Sequence, residues 1–520
     1  MSSIPTVYLV GAGPGHPGLL TLRAVECLQQ ADLVLYDKLV SPILLDHAPA
    51  EAEKRCVTAL AAHHDERIVP IHDTMIEAAR AGRRVVRLKG GDPYVFGRGA
   101  EEAEVLREAG VPCEIVPGVT AALGAAAFAG VSLTHRAHAS AVAFVTGHEN
   151  PRKPESMLDW GVLARFPGTL VIYMGMSRLE RIVGSLLAGG KPADTPAAIV
   201  QNATLGEQRT VVATFGDLPQ RARSEGLAAP AVIMIGAAVG RRDALAWYEQ
   251  RPLLGKRILV TRPRRQAAAM VHRLIDLGAV PYVLPMVEVR EPDDWTPVDA
   301  AIRRLKEIDW LVFTSANGVA ALLNRVEAIG LDLRILGDVR IAAIGPKTAD
   351  ALREYHLRAD LVPHRYQSED LAAAHLAAVP AGAKVLLARA DRGREVLREQ
   401  LAAHCNVEQV AVYSQVDGIE AGQDVLDALR RGEIEYVTLT SSNIARALLQ
   451  RLDATCKGRI ESGEVKLVSI SPVTSADIRR FGFPVTAEAK QATMDGVIEV
   501  LIELVRSGVQ RISRNDSQAR

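Results

Sequence analysis

Short β-branched runs alternate with longer helical patterns along this chain: TVYLVGAG, LLTLRAVECLQQA, DLVLYD, and later RRVVRLKGGDP followed by GAEEAEVLREAG. That alternation is the mark of α/β architecture with largely parallel sheets, each strand returned by a crossover helix. At 520 residues the chain is long enough for roughly three to five folded units of about 100–200 residues.

The pattern breaks at WYEQRPLLGK, around Ala246 to Gly255, where a helix ends before Pro252 and a new strand, RILVTRP, begins. A boundary there separates residues 1–250 from 255–507. The link has no Gly/Ser run, so the halves are expected to sit close together. Residues 508–520 are polar and aperiodic and read as a disordered tail.

The second half repeats itself. WLVFTSANGVAALLNR (Trp310 to Arg325) aligns with YVTLTSSNIARALLQR (Tyr436 to Arg451) at an offset of 126 residues. At the same offset VRIAAIGPKTADAL meets VKLVSISPVTSADI, and close to it KRILVTR meets AKVLLAR. Two domains of one fold are expected, each a small doubly wound sheet.

Charge and cysteine usage exclude several classes. Lys+Arg and Asp+Glu are 61 each, a zero balance that argues against a nucleic-acid partner or a cationic membrane binder. Cys27, Cys56, Cys113, Cys405 and Cys456 are scattered and never form Cys-x-x-Cys, so neither a disulfide framework nor a zinc ribbon is expected. The start, MSSIPTVYLVGAGPG, runs directly into a strand and is not a signal peptide. The uncharged stretch from Ile115 to Thr134 is interrupted by Pro117, Gly118, Gly124 and Gly130 and reads as a buried loop and helix. No membrane partner is expected, and the cytoplasm is the expected compartment.

Three glycine turns follow strands in the first half: GAGPGHPG (Gly11 to Gly18), KGGDP (Lys89 to Pro93) and PGVT (Pro117 to Thr120). The first is not a dinucleotide fingerprint, because His16 stands where the third glycine is required. Any one of these is an ordinary tight turn; three in one unit can surround a ligand at the carboxyl edge of a sheet.

The segments VYLVGAGPGHPGLLTLRA, VVRLKGGDPYVFGRGAEE, IVPGVTAALGAAAFAGVSLTHR, FVTGHE, TLVIYMG and AAIVQNATLGEQR occur in an order that resembles uroporphyrinogen-III C-methyltransferase, from about Val7 to Val239. The resemblance implies a tetrapyrrole methyltransferase fold of two α/β lobes and the use of S-adenosylmethionine. It carries cofactor contacts onto Pro14, Gly90, Gly91, Asp92, Val95, Thr120, Ala121, Met174, Ala203 and Ala231. Ala203 replaces a glycine usual in the family. Asp37, at the end of DLVLYD, matches the family's proton acceptor, although an aspartate there also suits a turn cap.

The sequence departs from the pattern at the family's proton-donor lysine, whose place is taken by Ala59; His64 or water is left to compensate. A substrate with eight carboxylates calls for guanidinium groups and helix N-termini, and Arg98 in FGRG and Arg136 in LTHR are the candidates. His135 and His138 are spaced for one helix face, but two imidazoles without clustered Cys or carboxylates do not make a metal site, and no catalytic metal is expected.

In the second half, ILVTRP, DWLVFTSANGV, AAIGPKTADAL, Ser368-Glu369, VLLARADRGREVL, VAVYSQVD, TSSN and SPVT resemble uroporphyrinogen-III synthase over about Gly255 to Val505. That family has two similar α/β domains, one inserted into the other, which places one domain at about 291–414 and the other at about 256–290 plus 415–507. Tyr413 matches a tyrosine that assists departure of a hydroxyl; a tyrosine beside a strand is equally at home as a structural residue. The candidate ligand positions are Thr261, Arg262, Ser315, Asn317, Thr348, Ser368, Arg389, Ser441, Ser442 and Thr474. The two Thr-Ser-x-Asn segments also read simply as helix N-caps. Ser471 replaces the glycine found at Gly345 in the first repeat.

Together the resemblances imply a bifunctional enzyme that closes hydroxymethylbilane to uroporphyrinogen III and methylates it twice to precorrin-2. S-adenosylmethionine is the implied co-substrate, and a homodimer through the first half is expected. The competing readings are an active methyltransferase joined to a noncatalytic tetrapyrrole-binding module, and a dinucleotide oxidoreductase, against which His16 already weighs.

Overall fold

Four five-stranded sheets organise the computed structural model, which describes residues 4–57, 69–148, 157–393, 395–417 and 422–518. The first holds β1 (Val7–Gly11), β2 (Leu33–Tyr36), β3 (Glu53–Cys56), β4 (Val85–Lys89) and β5 (Cys113–Val116), in the order β3-β2-β4-β1-β5, all parallel. Both faces are covered, and the strand period of two divides each run between two cores. Val34 joins one apolar layer with Val10, Val86 and Leu88, while Leu33 and Leu35 join the other with Val7, Leu9 and Met75.

The second sheet contains β6 (Val142–Thr146), β7 (Thr169–Tyr173), β8 (Pro196–Gln201), β9 (Arg209–Thr214) and β10 (Ala231–Ile235), in the order β6-β7-β10-β8-β9. Only β6 and β7 run parallel; β7–β10, β10–β8 and β8–β9 are antiparallel. The largely parallel arrangement expected from the sequence therefore does not extend to this lobe. The short connection from Asn202 to Gln208 has no room for a crossover helix, so β8 and β9 must turn back on each other.

Helix Ala121–Ala129, the core of the long uncharged stretch, lies between the two lobes. Its small side chains Ala122, Ala125, Ala126 and Ala129 pack against Val171, Ala198, Val200, Val232 and Met234 of the second sheet. Gly124 permits the closest approach: a Cβ there would lie 2.4 Å from Pro14 Cγ. Among the described residues no helix is long and apolar enough to cross a membrane.

The second half contributes β11 (Arg257–Val260), β12 (Val280–Val283), β13 (Val287–Arg290), β14 (Trp310–Phe313), β15 (Arg340–Ala343), β16 (Lys384–Ala390), β17 (Asn406–Asp417), β18 (Tyr436–Leu439), β19 (Lys466–Ser469) and β20 (Ala487–Glu488). One sheet has the order β12-β11-β18-β19-β20 and the other β13-β17-β16-β14-β15, so the second is inserted into the chain of the first. The repeated segments occupy matching places. β14 and β18 each pair with the strand from the third repeated segment (β16 and β11) on one side and with the strand that follows (β15 and β19) on the other. The inserted sheet reaches further than 291–414: β13 begins at Val287, and β17 continues to Asp417 to pair antiparallel with it from Ser414 onward.

The boundary segment is packed rather than loose. Trp247 donates from Nε1 to the Ala127 carbonyl at 2.9 Å, and the buried Tyr248 ring lies 4.7 Å from that of Phe128. The halves touch where His16 Nε2 approaches Asp276 at 3.6 Å and where Gly206 meets the Gly278 and Ala279 carbonyls. The last helix runs Met494–Gln518, so the residues read as a tail from 508 continue a helix through 518. The helix is anchored upstream by Val497, Ile498 and Leu501.

Candidate functional site

The three glycine turns converge at the carboxyl edge of the first sheet. Gly13 and Gly91 exchange backbone hydrogen bonds of 3.1 and 2.8 Å, bridging the first turn to the second. Cβ atoms on Gly11 and Gly118 would fall 2.7 and 2.2 Å from the Gly91 carbonyl oxygen, so the three backbones meet only because these positions lack side chains. Gly90, by contrast, faces space: its nearest neighbour would be Leu39 Cβ at 3.8 Å.

Asp92 ties the second turn to the third, accepting from Tyr94 N at 2.8 Å and Gly118 N at 3.0 Å, so both its oxygens hold backbone amides. Thr120 precedes helix Ala121–Ala129 but does not cap it with its hydroxyl, which lies 2.7 Å from Tyr173 Oη. Tyr173 also accepts from Ala122 N at 3.1 Å, and burial holds its phenol above the ordinary range. A strand end of the second lobe is thereby fixed to the third turn. Met174 follows directly, half exposed in the left-handed region at φ 54°. Val95 and Ala203 pack beside the same inter-lobe core, Ala231 opens β10, and Pro14 rests on Gly124.

Asp37 lies beside these turns. Its backbone carbonyl accepts from Val40 N at 3.0 Å, but its carboxylate does not cap the turn; Oδ1 accepts from Arg87 Nη2 at 2.6 Å. Arg87 and Lys89 both bond Glu102, at 3.3 and 2.7 Å, and all three are buried. Burial, and then neighbouring Arg87, push the Lys89 amine below the ordinary lysine range.

The arginines proposed for substrate are at the rim. Arg98 is exposed, in the left-handed region at φ 59°, and approaches Glu101 at 3.5 Å; Arg136 is exposed. His135 and His138 do not share a helix face. They close a tight turn, His138 N bonding the His135 carbonyl, with ring centroids 4.6 Å apart. His16 accepts from Gly18 N at 3.1 Å and caps the short turn Pro17–Leu19, and burial lowers its pKa. Ala59 and His64 lie outside the described residues.

In the second half the candidate residues follow the carboxyl ends of strands. Tyr413, buried where β17 leaves its pairing with β16, lies 3.0 Å from Ser315 Oγ after β14, and burial raises its pKa. Arg262 Nη2 donates to Gln266 Oε1 at 2.6 Å, and Gln266 Nε2 donates to Asn317 Oδ1 at 3.1 Å, a link from one domain to the other. Arg262 Nη1 is directed at Met494 Sδ, its Nε is buried without a partner, and burial lowers its pKa. Buried Arg389 approaches Glu395 at 3.8 Å in space that a Cβ on Gly393 would fill.

The remaining candidates lie at strand ends and helix starts, several of them in structural bonds. Thr261 donates to the Thr438 carbonyl at 2.6 Å and is fully buried. Ser315 and Ser441 cap helices Ala316–Ala328 and Ser442–Arg451, accepting from Gly318 N and Ile444 N. Thr348 is buried in the first turn of Pro346–Glu354, Ser368 opens Ser368–Ala378, and Thr474 bonds Ser471 at 3.2 Å. Ser471 supplies a side-chain cap that Gly345 lacks, because a Cβ at 345 would press within 3.2 Å of Tyr366.

Two family patterns match the chain: Tetrapyrrole (Corrin/Porphyrin) Methylases over residues 6–219 and Uroporphyrinogen-III synthase HemD over 268–499. The porphyrin biosynthesis protein HemD of Ruminiclostridium josui is 34% identical over 507 residues, covering 96% of this chain and 98% of that relative. The chain belongs to that family. Siroheme synthase of Chromobacterium violaceum is 48% identical over 244 residues, 47% of this chain and 52% of its own length. A solved uroporphyrin-III C-methyltransferase from Thermus thermophilus, complexed with S-adenyl homocysteine, is 40% identical and covers 45% of this chain and 99% of its own, with a TM-score of 0.39.

Sequence reading missed four polar residues that shape the methylase half. Tyr173 lies within the apolar strand TLVIY, and Arg87 and Lys89 carry no motif signal in VVRLK, a strand whose residues are all buried. Glu102 sat unremarked in an acidic first helical turn. In the synthase half, Gln266 was missed because a lone glutamine in a helix carries no sequence signal.

Proposed function

We propose that the protein is a bifunctional enzyme of tetrapyrrole synthesis. Its synthase half closes hydroxymethylbilane with inversion of ring D, and its methylase half transfers two methyl groups from S-adenosylmethionine to uroporphyrinogen III, giving precorrin-2. The observation that carries this reading is the convergence of three side-chain-free turns beside Asp37, in a chain related along almost its whole length to a porphyrin biosynthesis protein.

Gly90, Gly91, Thr120, Ala121, Met174, Ala203 and Ala231 would hold the methyl donor; the open space at Gly90 and the backbone-lined turns fit its polar ends. When bound, S-adenosylmethionine supplies an electrophilic methyl group. A pyrrole carbon of the substrate forms the new C–C bond as the C–S bond breaks, so positioning contributes much of the rate. Asp37 then takes the proton that relieves the positive charge on the ring. Arg98 and Arg136 receive substrate carboxylates at the rim.

In the synthase half, Tyr413 donates a hydrogen bond to the departing hydroxyl of the bilane. Arg262 and Arg389 bind carboxylates, and the paired domains hold the chain ends in place. The protein acts in the cytoplasm, and the methylase half forms a homodimer.

Hydroxymethylbilane supplied alone tests the synthase part, because spontaneous closure gives isomer I. Isomer III in excess is expected; isomer I alone would reduce the second half to a noncatalytic binding module.

A further inference from the structure

Asp37, Arg87, Lys89 and Glu102 form a closed set of two cations and two anions beneath the converging turns. Arg87 directs Nη2 to Asp37 at 2.6 Å, Nε to Glu102 at 3.3 Å, and Nη1 to the Leu35 and Leu88 carbonyls at 3.4 and 3.3 Å. Those carbonyls belong to the penultimate residues of β2 and β4, so the guanidinium is fixed to the frame of the sheet. Lys89 Nζ reaches the same oxygen of Glu102 at 2.7 Å, and Glu102 lies in the first turn of helix Gly99–Glu108. The Arg87, Lys89 and Glu102 side chains are 4%, 4% and 8% exposed, while that of Asp37 is 29% exposed.

The cluster is thus shut everywhere except at Asp37. Three charges buried in a sheet interior are costly, and apolar residues of the same volume would fold at least as well. What the arrangement supplies instead is a donor of fixed position for Asp37: Glu102 and the two strand carbonyls hold the other nitrogens of Arg87, and Nη2 alone meets one carboxylate oxygen.

We propose that Arg87 is a positioning residue for methyl transfer: it sets Asp37 to receive the proton, while Glu102 and Lys89 hold Arg87 in place. The proposal rests on reading Asp37 as the proton acceptor. R87K keeps the charge and loses the fork. With uroporphyrinogen III and S-adenosylmethionine, kcat is expected to fall at least tenfold while both KM values stay within twofold. E102Q, which conserves volume, is expected to show a smaller fall with the same split. In a D37N background, R87K is expected to lower kcat less than twofold, because the two residues act as a unit. Unchanged kcat in R87K, or effects that multiply in the double variant, would overturn the proposal.

A second measurement needs no turnover and separates this proposal from the functional reading. Carbodiimide modification of Asp37, followed by peptide mass spectrometry, is expected to be at least fivefold faster in R87K. A wild-type enzyme inactive toward tetrapyrroles defeats the functional reading, yet faster labelling still supports the positioning role and equal labelling defeats it.

Discussion

The Tyr413 and Ser315 hydroxyls lie 3.0 Å apart, so the segment after β14 is bonded to β17 at the point where β17 leaves its pairing with β16. Ser315 also caps its helix through Gly318 N, which fixes the oxygen that Tyr413 meets. Burial raises the Tyr413 pKa, so the phenol stays a neutral donor across the working pH range. Y413F should slow ring closure at least tenfold and lower stability by about 1 kcal/mol, the worth of one hydrogen bond. Isomer analysis after a timed incubation, beside a urea unfolding curve, separates the two effects.

The two repeated Thr-Ser-x-Asn segments predict unequal responses. Ser441 is bonded as a cap, whereas Ser315 is both a cap and a partner of Tyr413. S441A should cost about 1 kcal/mol and S315A about 1–2 kcal/mol. Only S315A should also slow ring closure.

Glycine substitutions distinguish scaffold from ligand space. A Cβ at 118 would stand 2.2 Å from the Gly91 oxygen, so G118A should cost about 3 kcal/mol or more and abolish S-adenosylhomocysteine binding. G90A meets nothing closer than 3.8 Å and should fold normally. Its effect should appear in calorimetry as binding weakened at least fivefold, with the melting temperature of the free protein unchanged.

These contrasts also mark how far the sequence can be read. The strand ends and their glycine turns were legible because glycine carries a conformational signal of its own. The duplication in the second half was legible because the repeat places β14 and β18 in equivalent positions, whereas the insertion of one domain into the other was implied only by the family resemblance. The mixed direction of the second sheet was not: PAAIVQ and AVIMI are continuous apolar runs, alike for buried strands of either direction. Nor was the partner of Asp37, which lies fifty positions along the chain at Arg87 and meets it only through the pairing of β2 with β4. His135 and His138 had helical spacing, but a turn brings their rings together equally well.

A buried histidine outside both sites is expected to make the inserted domain sensitive to acid. His375 is fully buried against Trp310, ring centroids 5.0 Å apart, with neither nitrogen hydrogen bonded, and burial pulls its pKa down to about 4. The folded value lies below the unfolded one, so the fold binds this proton less readily. Stability is full above about pH 6.5 and falls as the pH drops toward 4, by about 3 kcal/mol in all. H375M should reduce the difference in unfolding free energy between pH 7.5 and 4.5 by about 2 kcal/mol. An identical difference in the variant would show that other groups govern the acid limit.

One incubation tests the bifunctional assignment most directly, and it is the full chain with hydroxymethylbilane and S-adenosylmethionine together, quenched over time and separated into its tetrapyrroles. Uroporphyrinogen III is expected as the transient and precorrin-2 as the product, with two methyl groups transferred per tetrapyrrole. Isomer I with no methyl incorporation would contradict it.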